Sequence, residues 1–157
     1  MRVRDHLVMC FRESRLKGCV NTMDNLTSSQ RHKNMKHIKS QDTKPEVLLR
    51  KALWNYGICY RKNYKKLPGK PDIVLIKQKI AIFVDGDFWH GRDMGGIRRQ
   101  VKTNKAYWLP KIERNIERGK EVNDALLNEG WLVLRFWESD IKKDLAGCVK
   151  TILSYLA

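Results

Sequence analysis

No apolar run in this chain approaches the roughly 20 residues that a membrane-spanning helix needs, which excludes a helical span. The N-terminus is basic, but its apolar run, Leu7 to Phe11, is too short for a signal peptide. No internal repeat is visible. Cysteine is sparse and scattered: Cys10, Cys19, Cys59 and Cys148 form no Cys-x-x-Cys pair, which argues against a zinc ribbon. Cys59 and Cys148 read as small apolar residues, and a reducing cytoplasm is the simplest compartment. Acid is the scarcer charge. There are 17 Asp and Glu against 32 Lys and Arg, a net charge of +15. A surplus of that size is the footprint of a nucleic-acid binder, because basic side chains displace condensed counterions from phosphates. Ribosomal proteins and anionic-membrane binders share it, so charge alone does not choose among them.

What is present points to one folded domain. The chain has 157 residues and is 42% hydrophobic, enough to bury a core. Residues 1–22 show no periodicity, and Met23 opens Met-Asp-Asn-Leu-Thr, a second plausible start; 1–22 is therefore expected to be an extension outside the fold. Residues 23–43 read as a basic arm, with Arg31, Lys33, Lys36 and Lys39 around Met35, that orders on nucleic acid. A single domain is expected over 44–157. Thr43-Lys44-Pro45-Glu46 resembles a capping box with an early proline, opening a helix that runs to Gly57. Strands are expected at Ile58–Arg61, Asp72–Ile76, Ile80–Val84 and Trp131–Trp137. Helices are expected at Trp108–Glu129 and Ile141–Leu156. The order α-β-β-β-α-β-α predicts an α/β fold, a mixed sheet flanked by helices.

The acids concentrate where the second and third strands meet. A two-residue turn at Gln78-Lys79 would pair 76 with 81, 75 with 82, 74 with 83, 73 with 84, and 72 with 85. Asp72 then faces Asp85 at a Cβ separation of about 4.5–5.5 Å, where like charges repel. A divalent cation would relieve the repulsion, and Mg²⁺ takes one or two carboxylates plus waters and substrate phosphates. The alternative is two solvated strand-end aspartates. His90 comes shortly after and reads either as a packing residue or as a general base for water. Phe88 and Trp89 read as core, or as wedges inserted between base steps.

These residues carry a family likeness. Pro68-Gly-Lys-Pro-Asp72 and then Asp85-Gly-Asp-Phe-Trp-His90 resemble the very-short-patch repair (Vsr) endonucleases. The likeness includes Arg31-His-Lys-Asn-Met35, Tyr107-Trp108-Leu109, Lys111-Ile112, Asn115, Glu117-Arg118 and Gly130-Trp131 to Trp137-Glu138, and covers roughly residues 28–140. It implies a restriction-endonuclease-like fold of the PD-(D/E)XK superfamily. It also implies a Mg²⁺-dependent strand nick beside a T·G mismatch left by deamination of 5-methylcytosine. By position, Asp72 would bridge metal, Val84 would offer a backbone carbonyl to it, and His90 would be the base. Phe88, Trp89 and Trp108 would intercalate from one groove and Met35 from the other side. Glu46 matches a glutamate on the family's first helix, or serves as the capping-box acceptor. The implied partners are double-stranded DNA and a MutL-type repair protein, with no membrane, and the enzyme would act as a monomer.

The chain also departs from the family's pattern. Asp85 stands where the best-known members have a histidine, and Gly119 where they have the aspartate that partners it. Asp85 is then expected to bind metal directly. The superfamily lysine is replaced by Asp87. The cysteines and histidine of the structural zinc held by several members correspond here to Asp87, the Gly91–Met94 stretch and Ser139, so no zinc is expected and the segment from Arg92 to Arg99 should be looser. Rival readings are a restriction-like or branched-DNA nuclease on the same fold, and a non-catalytic DNA-binding module. A chain beginning at Met23, purified and analysed for bound metal, is expected to keep its nicking activity and carry no stoichiometric zinc; loss of activity, or one tight zinc per chain, would overturn the corresponding expectation.

Overall fold

The structure is a computed structural model, and it describes Thr27, Gln30 and residues 41–101 and 104–156. The expected extension 1–22, Met35 and most of the basic arm lie outside the described residues. The chain divides into two units, Met1–Thr43 and Lys44–Ala157. In the first, Thr27 and Gln30 bond reciprocally: the Thr27 amide donates to Gln30 Oε1 at 2.9 Å and the Gln30 amide to Thr27 Oγ1 at 3.3 Å, a capping box in miniature.

The second unit opens with α1 (Lys44–Asn55), whose apolar side carries Leu49 and Leu53. The helix stops at Gly57, where the Gly57 amide donates to the Trp54 carbonyl and the Ile58 amide to the Leu53 carbonyl. This is a Schellman ending. β1 (Arg61–Lys62), β2 (Ile73–Leu75), β3 (Ile80–Asp85) and β4 (Leu132–Trp137) form one sheet in the order β1-β2-β3-β4. The first two pairings are antiparallel and β3–β4 is parallel. Between β3 and β4 lie α2 (Met94–Gln100) and α3 (Lys105–Asn128), and α4 (Glu138–Lys143) and α5 (Leu145–Ser154) close the chain. The mixed sheet with flanking helices is the architecture expected from the sequence.

Alternation along the strands sends side chains to two faces. Ile73, Leu75, Ile80, Ile82, Leu134 and Phe136 face Leu49 and Leu53 of α1, Ile141 of α4, and Val149 and Ile152 of α5. Ala81 and Phe83 face Leu126 and Val122 of α3. A third small core joins Ile97, Val101 and Ile112 beneath Phe88 and Trp108. α3 ends at Gly130, whose φ of +78° is a left-handed conformation that glycine adopts without strain. The Trp131 amide then reaches the Leu126 carbonyl and turns the chain straight into β4.

Several expectations are corrected. The first strand is Arg61–Lys62; Ile58 and Tyr60 instead pack against the core. α3 begins at Lys105, before the expected Trp108, and carries Pro110 within it. The closing helix is two helices, broken at Asp144, whose carboxylate accepts from the Gly147 amide at 2.8 Å and starts α5. α2 had no periodic signature because two glycines fall in its first turn; Asp93 starts it by accepting from the Gly96 amide at 2.9 Å.

The largest correction is the register. Ile73 pairs with Ile82, Val74 with Ala81 and Leu75 with Ile80. Four residues, 76–79, make the turn, with Lys79 at φ +52°. Extending that ladder by one residue puts Asp72 level with Phe83, not Asp85. A slip of two residues leaves every side chain on its original face, so the apolar pattern could not distinguish the two registers.

Leu126 is fully buried against Ala81 and Phe83. Leu126→Ala is expected to cost about 2–5 kcal/mol, read as a fall in the urea midpoint; an unchanged midpoint would contradict this packing.

Candidate active site

The site is built where β2 begins and where β3 and β4 end. The Pro68–Asp72 loop is pinned on both sides. The Tyr64 amide donates to the Pro71 carbonyl and the Asn63 amide to the Asp72 carbonyl, each at 3.1 Å, and the Pro71 ring is buried. Asp72 is thereby fixed, and its Oδ2 accepts from the Val84 amide at 2.8 Å. In an antiparallel ladder one residue's N–H and C=O share an edge, so the Val84 carbonyl lies on the Asp72 side of β3.

Electrostatics marks Asp72 out. Burial is the main cause that pushes its carboxyl up from 3.8 to about 6, against the pull of the Val84 amide. The negative charges of Glu46 and Asp85 push it further up, and Arg50 pulls it down. Glu46 and Arg50 are both buried, one turn apart on α1, at 3% and 6% exposure. The sequence-predicted acids Asp72, Asp85 and Glu46 are therefore within electrostatic reach of one another, although Asp72 and Asp85 do not face across the ladder.

Asp85 has a different environment. It is 6% exposed, and Arg135 Nη1 donates to both of its oxygens at 2.8 Å. His90 Nδ1 lies 3.6 Å from Asp85 Oδ1. The His90 amide donates to the Gly86 carbonyl at 3.1 Å, which holds this short loop closed.

The aromatic residues form one cluster. Phe88 meets Trp89 edge to face at 5.1 Å between centroids, and Trp108 lies 6.3 Å from Phe88 and 5.7 Å from Trp89. Tyr107 extends the cluster at 5.0 Å from Trp108. Lys111 sits 5.4–5.8 Å from the rings of Trp89, Tyr107 and Trp108. Beside them a groove of about 320 Å³ is lined by Tyr107, Lys111, Arg114, Asn115 and Arg118. Asn115 Nδ2 donates to the Trp89 carbonyl at 3.2 Å and ties α3 to the cluster.

Asp87 and Ser139, which the resemblance sets at zinc-ligand positions, are joined by protein bonds. Ser139 Oγ donates to Asp87 Oδ1 at 2.6 Å and the Ser139 amide to Asp87 Oδ2 at 3.2 Å. Arg92 donates to Asp87 at 3.1 Å, to Asp140 at 2.7 Å and to Ser139 Oγ, and lies over Trp137. Burial works against its charge, but Asp140 and Asp87 more than offset that and raise its pKa.

Among the described residues, no three His, Cys, Asp or Glu side chains come together as a metal cage. Asp72 and the Val84 carbonyl both offer oxygen; burial first, and then the charges of Glu46 and Asp85, disfavour the ionised carboxyl, and a cation would stabilise that form. One carboxylate with a backbone carbonyl, completed by water and phosphate oxygens, fits Mg²⁺. Sequence reasoning missed Arg135. The signal was available: Arg135 is the one charge in Leu132-Val-Leu-Arg-Phe-Trp137, at a strand position where the alternation calls for an inward side chain.

The family described as DNA mismatch endonuclease Vsr matches residues 23–95. The chain is 48% identical to a type II nicking enzyme of Neisseria meningitidis serogroup C over 130 residues, covering 83% of this chain and 88% of that protein. It is 49% identical to a type II nicking enzyme of Haemophilus parainfluenzae, covering 78% of this chain and 87% of the relative. It is 35% identical to the DNA mismatch endonuclease Vsr of Escherichia coli K12, covering 71% of each.

The raised Asp72 pKa sets a pH dependence. The native state holds this proton more tightly than the unfolded chain, so its stabilising share is full below about pH 4 and is lost as pH rises through about 6. Asp72→Asn keeps an acceptor for the Val84 amide and removes the charge. In metal-free protein it is expected to be more stable than the parent by about 2–3 kcal/mol at pH 7, converging below pH 4; denaturant titrations across that range check it, and equal stabilities at pH 7 would refute it.

Proposed function

This chain belongs to the DNA mismatch endonuclease Vsr family, and on that premise we propose that it nicks one strand of duplex DNA beside a T·G mismatch, using Mg²⁺. The observation that carries the reading is the half-buried Asp72, its carboxyl raised to about 6 by burial and by the charges of Glu46 and Asp85, in a protein of net charge +15. A nuclease has reason to keep such a carboxylate: a bound cation offsets its charge, and the basic surroundings hold the polyanion that brings further oxygens.

Asp72 and the Val84 carbonyl would hold the metal, with Glu46 beside them; when bound, the ion would supply Lewis-acid polarisation of the scissile phosphate. His90 takes the proton of the attacking water. Its ring is 34% exposed, open enough to meet solvent, while Nδ1 faces Asp85 and leaves Nε2 for the water. Phe88, Trp89 and Trp108 form the wedge. Phe88 and Trp108 are braced from beneath by Ile97, Val101 and Ile112, so the wedge enters the base stack already rigid. Kinking a duplex at a mismatch costs less unstacking than at a matched pair, which favours a T·G site. Lys111, Arg114 and Arg118 line the adjacent groove for the backbone.

The test is a matched pair of duplexes, T·G and T·A in the same context, with Mg²⁺. The T·G strand is expected to be nicked at least 100-fold faster. Asp72→Ala should abolish nicking and retain DNA binding. Equal nicking of both duplexes would remove the mismatch assignment, and cleavage undiminished by Asp72→Ala would remove the proposed centre.

A further inference from the structure

We propose that Arg135 and Asp85 form a built-in anchor for His90, and that Arg135 is a positioning residue for the nicking reaction. The inference rests on His90 being the base. It gives Asp85 a role other than the direct metal ligation expected where the resemblance sets it in place of a histidine, and for which the facing register that the sheet does not have was a further reason.

The geometry is a relay of three groups. His90 Nδ1 lies 3.6 Å from Asp85 Oδ1. That is slightly long for a hydrogen bond, as such pairs commonly are before substrate tightens them. Asp85 is buried, so it needs compensation, and one guanidinium nitrogen of Arg135 meets both its oxygens at 2.8 Å. Arg135 is fixed in turn. Its Nε donates to Asn123 Oδ1 at 2.9 Å, its Nη2 to the Gly119 carbonyl at 3.4 Å, and its plane lies 4.4 Å from the centroid of Phe83. A guanidinium held on three sides fixes the carboxylate, and the carboxylate fixes which imidazole nitrogen carries the proton.

The elements make this arrangement unavoidable. Phe83 pairs with Arg135 in the parallel β3–β4 ladder, and Asp85 lies two residues along β3 on the same face. An arginine is long enough to reach along that face from its own rung to the next inward position. α3 supplies the other side through Gly119 and Asn123, one turn apart. With Asp85 held in this way, neutral His90 presents Nδ1–H to the carboxylate and leaves Nε2 free to accept a proton. This is the orienting role that a buried carboxylate plays toward a catalytic histidine in hydrolases generally.

The experiment reads the His90 tautomer directly. Side-chain ¹⁵N spectra of metal-free parent protein at about pH 8, above the ordinary histidine pKa near 6.5, are expected to show His90 as the Nδ1–H form, assigned with His90→Ala. An Nε2–H tautomer in the parent overturns the proposal whether or not any variant folds. Arg135→Met, checked for folding by circular dichroism, is expected to mix the tautomers. It should also slow single-turnover nicking by about 10–100-fold, the usual cost of losing an orienting partner, with DNA affinity within about 2-fold of the parent. Arg135→Lys restores the charge without the fork and should recover only part of the rate. Arg135→Met with parental rate and an unchanged tautomer would overturn the anchor. Parental nicking by His90→Ala would instead defeat the base assignment, so the two failures are distinguishable.

Discussion

The parallel pairing of β3 with β4 is the constraint on which the rest depends. Six consecutive residues of β3, Ile80 to Asp85, pair with Leu132 to Trp137. β3 is buried almost throughout, because α3 covers one face and α1, α4 and α5 cover the other. Parallel strands end on the same side of a sheet, so the loop leaving β3 lies beside the helix leaving β4. That is how Asp87 comes to meet Ser139 across 52 positions of sequence and Asp85 to meet Arg135 across 50. Open α/β sheets place their ligands at the carboxyl ends of strands for the same reason: this is where loops from distant parts of the chain converge on a rigid edge.

Two aspartates near that edge have been given opposite surroundings. Asp85 has a guanidinium on both oxygens. Asp72 accepts from one backbone amide, and its proton affinity is raised by burial first and then by the charges of Glu46 and Asp85, with Arg50 pulling it down. A buried carboxylate whose charge is already compensated gains little from a cation, whereas one held at high potential energy gains much. The difference comes from placement: Asp85 shares a face and a ladder with Arg135, and Asp72 sits beyond the last rung of β2. Pairs of like groups driven apart by environment are how one fold assigns different tasks to the same chemistry.

The sheet and its helices were legible because burial imposes period 2 and period 3.6 on residues such as Ile80–Ile82 and Leu145–Val149–Ile152. The register was not, because the two candidate pairings of Ile73–Leu75 with Ile80–Val84 place the same residues inside. Turn chemistry would have decided it, and Lys77-Gln78-Lys79 carries no glycine or asparagine to mark a two-residue turn. The start of α5 was hidden because Asp144 both interrupts the apolar period and caps the new helix. Asp72, Asp85 and His90 stood out by residue type, but the spacing that set Asp72 opposite Asp85 was two residues off the observed register. Arg135 was not singled out, because its partners Asp85, Gly119 and Asn123 are separated from it by 12–50 positions. Asp85 and Gly119, far apart in sequence, are joined by this one side chain.

The aromatic cluster shows how a residue can belong to a core and still offer ring surface to a partner. Phe88 and Trp108 rest on a small apolar core, and Trp89 turns its ring toward Lys111. A cation over aromatic rings near the surface is worth about 0.5–1 kcal/mol, and a base stacked on an aromatic ring about 1–3 kcal/mol. On the proposed reading, an entering base therefore displaces Lys111 from the rings rather than the reverse. The lysine does not lose its interaction, because its groove partners Arg114 and Arg118 lie along the same side of α3, where the backbone of an intercalated duplex would run. On that reading the free protein holds the lysine on the surface that stacking would uncover, and its release would add a phosphate contact as the wedge enters. Opening the base stack costs a few kcal/mol per step, which stacking on the rings and backbone contacts would together have to offset, and this would tie wedge insertion to backbone capture.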